Sequence, residues 1–406
     1  MNAKLLFFVF LPILLIFSAS PPPAHSESLN VSGLLKNGSV RVETTSGESL
    51  LSYREDELFV PASILKIATG FCALEELGPD FTFSTSFFTD NRGTLYVKGS
   101  GDPGLVSEEL ASISKELSSR TATVNRIVID PSLFSPDIDL DGVANSLNPY
   151  DSRNAAFVGN FSTAYVTRRK NGVIESAEPQ TPLTPLSRKA ALNLRRGATE
   201  RINLGKDWKT GTLYGGELLA EFLRRAGVRG RMQVEIGHIP NDAHPVITYR
   251  SSQLLSDMIR GMLKFSTNFT ANQLFLTLGI KKYGAPATVT KGQRALRECL
   301  EQRAGWRNFS IEEGSGLSRK NAVSAQLMTK LLKHFSRYQE LLDEQQGFQA
   351  KTGSLNGVNS LAGYFDTPHA GQVRFAIIIN SQVPHLYKFS VANKIRDHLN
   401  AQRINR

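Results

Sequence analysis

The chain has 406 residues, 41% of them hydrophobic, and carries 47 lysines and arginines against 37 aspartates and glutamates, a formal net charge of +10. That apolar content excludes an intrinsically disordered chain, and the length accommodates two or three domains. The basic residues are scattered, with no basic block interleaved with aromatics, so nucleic-acid binding is not supported; an acidic polymer or an anionic membrane surface suits the charge better.

The N-terminus reads as an export signal. Lys4 is followed by the apolar run at residues 5–17, then by small residues with a cut site after Ser26. The run is short for a bilayer span, which needs about 20 residues, so residues 1–26 are expected to be a leader, with an uncleaved anchor as the alternative. No cysteine follows it to carry a lipid. The chain has only two cysteines, Cys72 and Cys299, too few for a disulfide scaffold. Cys72 lies in an apolar helical pattern, so a buried free thiol is the simplest expectation, with one disulfide as the other option.

Residues 31–53 alternate in polarity and predict a hairpin turning at Ser46-Gly47. A helix beginning near Ser63 stops at Gly78-Pro79. Short strands follow at residues 81–89, 93–105 and 124–130. Residues 138–207 are polar and rich in Pro, Asn and Arg, and predict strands and loops. An amphipathic helix at 215–227 and a strand at 232–237 come next. Helical spacing returns at 253–279, interrupted around residues 265–268, and again at 322–335. Three consecutive antiparallel strands at 348–355, 359–366 and 373–381, then a closing helix, predict an α+β fold with helices packed on an antiparallel sheet. The texture of residues 84–249 differs from both flanks. The expected organisation is a discontinuous unit of 27–83 and 250–406 interrupted by an inserted domain at 84–249.

Ser63 and Lys66 are three apart, so a helix brings them onto one face. A serine hydroxyl needs a base to become a nucleophile, and a lysine serves if burial or a nearby cation keeps it neutral. The helix start adds free N–H groups suited to an oxyanion. The same S-x-x-K pattern occurs at Ser112 and Lys115, but in a polar segment, where it reads as a solvated face. K-T-G occurs twice, at Lys209 and Lys351, and S-x-N five times, starting at Ser28, Ser146, Ser152, Ser266 and Ser354. One ordered set stands out: Ser63 and Lys66, then Ser266 and Asn268 between two helical runs, then Lys351-Thr352-Gly353 on a strand. No metal-spaced Cys/His cluster, G-x-G-x-x-G or Walker loop is present, so neither metal nor cofactor is expected.

At these motifs the chain resembles the class C penicillin-binding proteins, the D-alanyl-D-alanine carboxypeptidase/endopeptidase family. "SILK" (63–66), "STN" (266–268) and "KTG" (351–353) match in order. "VKGSGDPGL" (97–105), "IVIDPSLF" (127–134) and "EEGSGLSRKNAVSAQLM" (312–328) are similar to the family's G-G-G-D-P turn, its I-x-x-D-x-S-x-F strand and its D-G-S-G-L-S-R segment. Glu313 stands where that segment usually has Asp. The long gap between Ser63 and Ser266 is similar to the insertion of class C members, though shorter than in the best-known ones, which implies a trimmed nested subdomain.

The resemblance implies a penicillin-binding/β-lactamase-like transpeptidase fold with a large β-rich insertion, and attack by Ser63 on D-Ala–D-Ala bonds or D-amino-acid cross-links of peptidoglycan peptides in the periplasm. Lys66 would be the base, the N–H groups of Ser63 and Ser354 the oxyanion site, and Ser266 the proton relay. Asn268 would hold the substrate amide; Lys351 and Thr352, with Gly353 allowing close approach, would hold its carboxylate, and Lys351 would help keep Lys66 neutral. Asp151, in "NPYDSR", would meet the amine of a diamino acid in the stem peptide, against an ordinary surface or N-cap aspartate. Asp102 reads as a turn residue. β-Lactams would be covalent inhibitors. An oligomer and a peripheral membrane contact stay open, as do a β-lactamase or esterase of the same superfamily and a silent wall scaffold.

Overall fold

The computed structural model describes residues 29–401. The leader expected at 1–26 lies outside them. Among the described residues no helix is long and apolar enough to cross a membrane.

The hairpin expected at the N-terminus forms from Gly38–Thr44 and Ser49–Tyr53, with Gly47 at φ +96° in its turn. It does not stand alone. Gly38–Thr44 pairs antiparallel with Gly371–Ile379, in register from Gly38↔Ile379 to Thr44↔Val373. The hairpin thereby extends the sheet made by Glu344–Gln345, Phe348–Leu355, Val358–Thr367 and Gly371–Ile379 to six strands, all antiparallel. Both faces are covered, which is why "FAIII" is continuously apolar rather than alternating. Val373, Phe375, Ile377 and Ile379 pack with Phe389 and Ile395 of the C-terminal helix Tyr387–Ala401. Ala376 and Ile378 face the helices on the other side, including Leu65–Leu77 and Ala325–Phe335.

The segment between the first helix and the second helical run has its own core, built on residues such as Phe87, Ile113, Ile129, Leu218 and Leu223. Its first strand, Ser84–Thr89, pairs antiparallel with its last, His244–Arg250, so the chain leaves and returns at one place. The five-stranded sheet there is mixed: Thr94–Lys98, Arg126–Asp130 and Gln233–Ile236 run parallel. A three-stranded sheet, Ile174–Ser176, Thr163–Arg168 and Ala198–Asn203, occupies the polar stretch. This segment is bolted to the helix Asn268–Tyr283 by buried amides: Asn154 Nδ2 donates to Gln273 Oε1 (2.6 Å) and to the Phe269 carbonyl (3.0 Å).

Besides the short helices Val31–Leu35 and Pro185–Ala191, which fall where strands and loops were expected, two longer helices escape the sequence pattern. Ser107–Ser118 buries Leu110, Ile113 and Leu117 and packs against Trp208–Arg225, although its solvent face is polar enough to hide the periodicity. Val289–Arg303 buries Ala295, Leu296, Cys299 and Leu300 within a strongly charged sequence. The second helix also corrects the cysteine expectation. Cys72 is not a free thiol: it is bonded to Cys299, tying the first helix to this one across a separation of 227 residues.

Candidate active site

Ser63 sits in a single 3-10 turn, Ala62–Ile64, that runs directly into the helix Leu65–Leu77. The approach to that turn is pinned from several sides. Phe59 exchanges backbone hydrogen bonds with Val323, and Val60 does so with the Asn380 side chain. The Pro61 carbonyl accepts from Ser360 Oγ at 2.6 Å. Ala62 then takes φ +50°, a left-handed conformation that costs an alanine energy and persists only when its surroundings enforce it. Gly316 makes room for it: a Cβ there would lie 2.0 Å from the Ala62 carbonyl oxygen.

Lys66 is fully buried on the first turn of the helix, with Nζ donating to Ser63 Oγ (3.0 Å), Asn268 Oδ1 (2.8 Å) and the Ser315 carbonyl (2.7 Å). Burial pushes its pKa down to about 7, with the charge of Lys351 acting in the same direction and Glu313 opposing. A lysine so placed reaches its neutral form at ordinary pH.

The second motif interrupts two helices. Leu255–Phe265 ends at Ser266, which is left-handed (φ 56°), and Asn268–Tyr283 begins two residues later. Asn268 reaches Lys66 across 202 residues of sequence. Ser266 is half-buried beside it and forms no side-chain hydrogen bond to Ser63 or Lys66 among the described residues. Its neighbours Phe265, Thr267 and Asn268 share with Ser266 the wall of a cavity of about 500 Å³, which Tyr150, Phe161 and Arg201 also line.

The third motif lies on Phe348–Leu355. The short strand Glu344–Gln345 covers only Phe348 and Gln349, so among the described residues the outer edge from Lys351 onward is free of a strand partner. Gly353 lets that edge approach the nucleophile: a Cβ would stand 3.0 Å from Ser63 N and 2.9 Å from the Pro61 carbonyl. Lys351 is buried, donates to the Thr352 carbonyl at 2.9 Å, and has its pKa pushed down to about 8 by burial and by Lys388. Thr352 is half-buried and Ser354 exposed.

Asp151 is not brought to this cluster. It is buried, with one carboxylate oxygen accepting from Ala144 N (3.1 Å) and the other from the Ser146 hydroxyl, so it is neither a surface residue nor a helix cap. Asp102 accepts from Gly104 N at 2.7 Å, as a turn residue does. Ser112 is exposed on Ser107–Ser118 and donates to the Glu108 carbonyl, while Lys209-Thr210-Gly211 opens the helix Trp208–Arg225 under an Asp207 cap.

Two contributors lie outside the SILK, STN and KTG motifs, the first of them within the 312–328 segment. The Ser315 carbonyl orients Lys66, and Glu313 builds the loop that carries it. One Glu313 oxygen accepts from Gly316 N, Leu317 N and Asn321 Nδ2, each at 2.8 Å; the other accepts from Ser315 N (2.8 Å) and Oγ (2.5 Å). Lys388 is the second contributor, buried at the start of the C-terminal helix behind Ser354. A backbone carbonyl and a lysine without a motif leave no sequence signal.

The family model for the D-Ala-D-Ala carboxypeptidase 3 (S13) family matches residues 33–190, 194–348 and 342–401. A D-alanyl-D-alanine carboxypeptidase of Actinomadura sp. is 26% identical over 85% of this chain and 77% of its own length. The D-alanyl-D-alanine carboxypeptidase DacB of Haemophilus influenzae is 25% identical over 87% and 86%. The fold is similar to the crystal structure of penicillin binding protein 4 from Haemophilus influenzae, with a TM-score of 0.73, 21% identity and coverage of 90% and 98%. It is also similar to a predatory peptidoglycan endopeptidase from Bdellovibrio bacteriovorus, with a TM-score of 0.54, 14% identity and coverage of 90% and 93%. The fold is thus the α+β penicillin-binding fold, and the chain belongs to the D-Ala-D-Ala carboxypeptidase 3 (S13) family.

Proposed function

We propose that the protein is a serine D-Ala-D-Ala carboxypeptidase, D,D-endopeptidase or both, acting on peptidoglycan peptides through an acyl-enzyme on Ser63. The observation that carries this is the buried Lys66 ammonium nitrogen 3.0 Å from Ser63 Oγ. Lys66 takes the hydroxyl proton as Ser63 attacks the carbonyl, and the N–H groups of Ser63 and Ser354 receive the developing oxyanion. Ser266 passes a proton to the departing amine. Asn268 holds the acyl-side amide. The open edge of Phe348–Leu355 takes the substrate as an added strand, with Lys351 and Thr352 at its carboxylate. Water then releases the acyl group. Asp151, held inside its own loop, would reach a substrate amine only after leaving those hydrogen bonds.

The same reading divides the chain into a peptidase unit, 27–83 with 250–406, and an insertion at 84–249, and places the mature protein in the periplasm after loss of residues 1–26. The paired strands Ser84–Thr89 and His244–Arg250 support that division.

Intact-mass measurement after incubation with penicillin, followed by peptide mapping, tests the reading. One stable penicilloyl group on Ser63 is expected. No adduct with penicillin unconsumed would point to a scaffold protein, fast penicillin turnover would make it a β-lactamase, and an adduct elsewhere would discard Ser63.

A further inference from the structure

We infer that Lys388 is a positioning residue of the acyl-transfer site, which holds the Gly353-Ser354 end of the substrate-binding strand and, through Ser354, aims a second donor at the substrate's free carboxylate. This rests on the reading of Ser63 as the acylated nucleophile.

Lys388 lies on the first turn of Tyr387–Ala401, a helix whose other inward residues, Phe389, Val391 and Ile395, are ordinary core. Its side chain is completely buried, and among the described residues it has no carboxylate partner. Burying an ammonium without a counter-charge is costly, and a leucine or methionine would serve packing better. Packing therefore does not explain the lysine. Its hydrogen bonds do: Nζ donates to the Gly353 carbonyl (3.0 Å) and to Ser354 Oγ (2.6 Å). The position is locked at the backbone too, because Lys388 N donates to Asn359 Oδ1 (3.1 Å), and Asn359 faces Ser354 in the strand ladder.

An ammonium can only donate, so the Ser354 oxygen must accept and its own proton turns away from Lys388, toward the exposed side of Ser354. The Gly353 carbonyl is fixed in the same stroke, and with it the peptide plane that presents the Ser354 N–H. Lys351 is the charged neighbour whose state Lys388 influences; Arg319 reaches the Asn356 carbonyl from an exposed position at the adjoining turn, and His385 is exposed before the helix. Two buried ammonium groups meet at one strand, Lys351 on it and Lys388 on the helix beside it, and neither has a carboxylate hydrogen-bond partner among the described residues, which favours an anion there. Only the substrate's terminal carboxylate, or that of a β-lactam, arrives there during the reaction.

The test compares acylation of Ser63 by benzylpenicillin and by its methyl ester, as second-order rate constants across pH, in the wild-type mature chain and in Lys388→Met and Lys388→Arg. For Lys388→Met the free acid should react about tenfold to a hundredfold more slowly, the loss expected when a charge-assisted hydrogen bond goes. The ester, which uses the Ser354 N–H but offers no free carboxylate, should slow by a clearly smaller factor. The alkaline limb for the free acid should move to higher pH, because Lys351 is relieved of a neighbouring positive charge, and Lys388→Arg should restore most of the rate. Equal slowing of acid and ester, or no slowing of either, would overturn the inference. If Lys388→Met does not fold, Ser354→Ala removes the accepting hydroxyl at an exposed position and must show the same preference for damage to the free acid. A wild-type chain that penicillin does not acylate would overturn the Ser63 reading itself, and this inference with it.

Discussion

Lys66 Nζ lies 3.0 Å from Ser63 Oγ, and the same nitrogen is held by Asn268 Oδ1 and the Ser315 carbonyl. Three acceptors from three parts of the chain thus converge on one buried nitrogen. Losing its proton leaves Lys66 able to accept one from Ser63 while still donating to the other two.

The rate of Ser63 acylation should therefore rise with pH through about 7, as Lys66 becomes neutral, and fall again above about 8, as Lys351 loses the charge that binds carboxylate. The limbs belong to the coupled lysines together. Lys66→Gln should lower the rate roughly 100-fold to 10,000-fold and remove the acid limb. A stopped-flow or quenched penicillin-binding profile from pH 5 to pH 10 checks this; an unchanged acid limb in Lys66→Gln would exclude the lysine as base.

The same lysines set the pH dependence of stability. Lys66, Lys351 and Lys388 have folded-state pKa values near 7, 8 and 8, below their unfolded value of 10.5. Between these limits the unfolded chain binds more protons than the folded one, so stability rises with pH, by on the order of 1 kcal/mol per pH unit for each lysine already neutral. Two half-buried tyrosines oppose this only higher up: Tyr249 and Tyr283 are pushed up to about 12, so their contribution is lost as pH climbs past 10. Urea midpoints should increase from pH 7 to pH 9.5. A flat or falling series would contradict the buried state of these lysines.

Glu313→Gln tests the loop under the site. The amide keeps the volume but replaces one acceptor with a donor facing N–H groups. We expect a loss of about 3 kcal/mol of stability, and slower acylation even at temperatures where the variant is folded, because the Ser315 carbonyl shifts from Lys66. Thermal melting and acylation rate, measured together, separate the two effects; an unaltered rate in folded Glu313→Gln would show that the loop does not position the base.

Cys299→Ser should cost about 2–4 kcal/mol, since the Cys72–Cys299 bond closes a loop of 227 residues. Acylation of the folded variant should be nearly unchanged, because neither sulfur touches Ser63 or Lys66. Urea unfolding with and without a reducing agent measures the term; indistinguishable midpoints would mean that the bond adds nothing to stability.

Much of this site can be read from residue types alone. Ser63 and Lys66 are close in sequence, and one helical turn is enough to place them together. Lys351-Thr352-Gly353 stands in the first of three strands whose alternation and apolar runs are plain. What escapes has a physical cause. Lys388 acts from a helix whose pattern is that of any amphipathic helix, and only tertiary packing brings it to Ser354. Ser315 acts through its carbonyl, which every residue has. Cys72 and Cys299 are two isolated thiols until the charged-looking helix Val289–Arg303 is seen to bury its apolar stripe. Asp151 has the right charge for a ligand, but that the Ala144 amide and the Ser146 hydroxyl hold it inside its own loop is visible only in the fold.

The pairing of Gly38–Thr44 with Gly371–Ile379 sets an order of events in synthesis. The catalytic sheet cannot be completed until almost the whole polypeptide has emerged, because one of its inner strands waits near the beginning for a partner close to the end. The intervening residues 84–250 carry their own core and can fold while that strand still waits. Until then the early hairpin presents an unpaired strand edge, the kind of surface that seeks a partner from another chain. Any truncation that removes Gly371–Ile379 would leave that edge permanently open, so chains cut short at their C-terminus should aggregate rather than persist as inactive monomers.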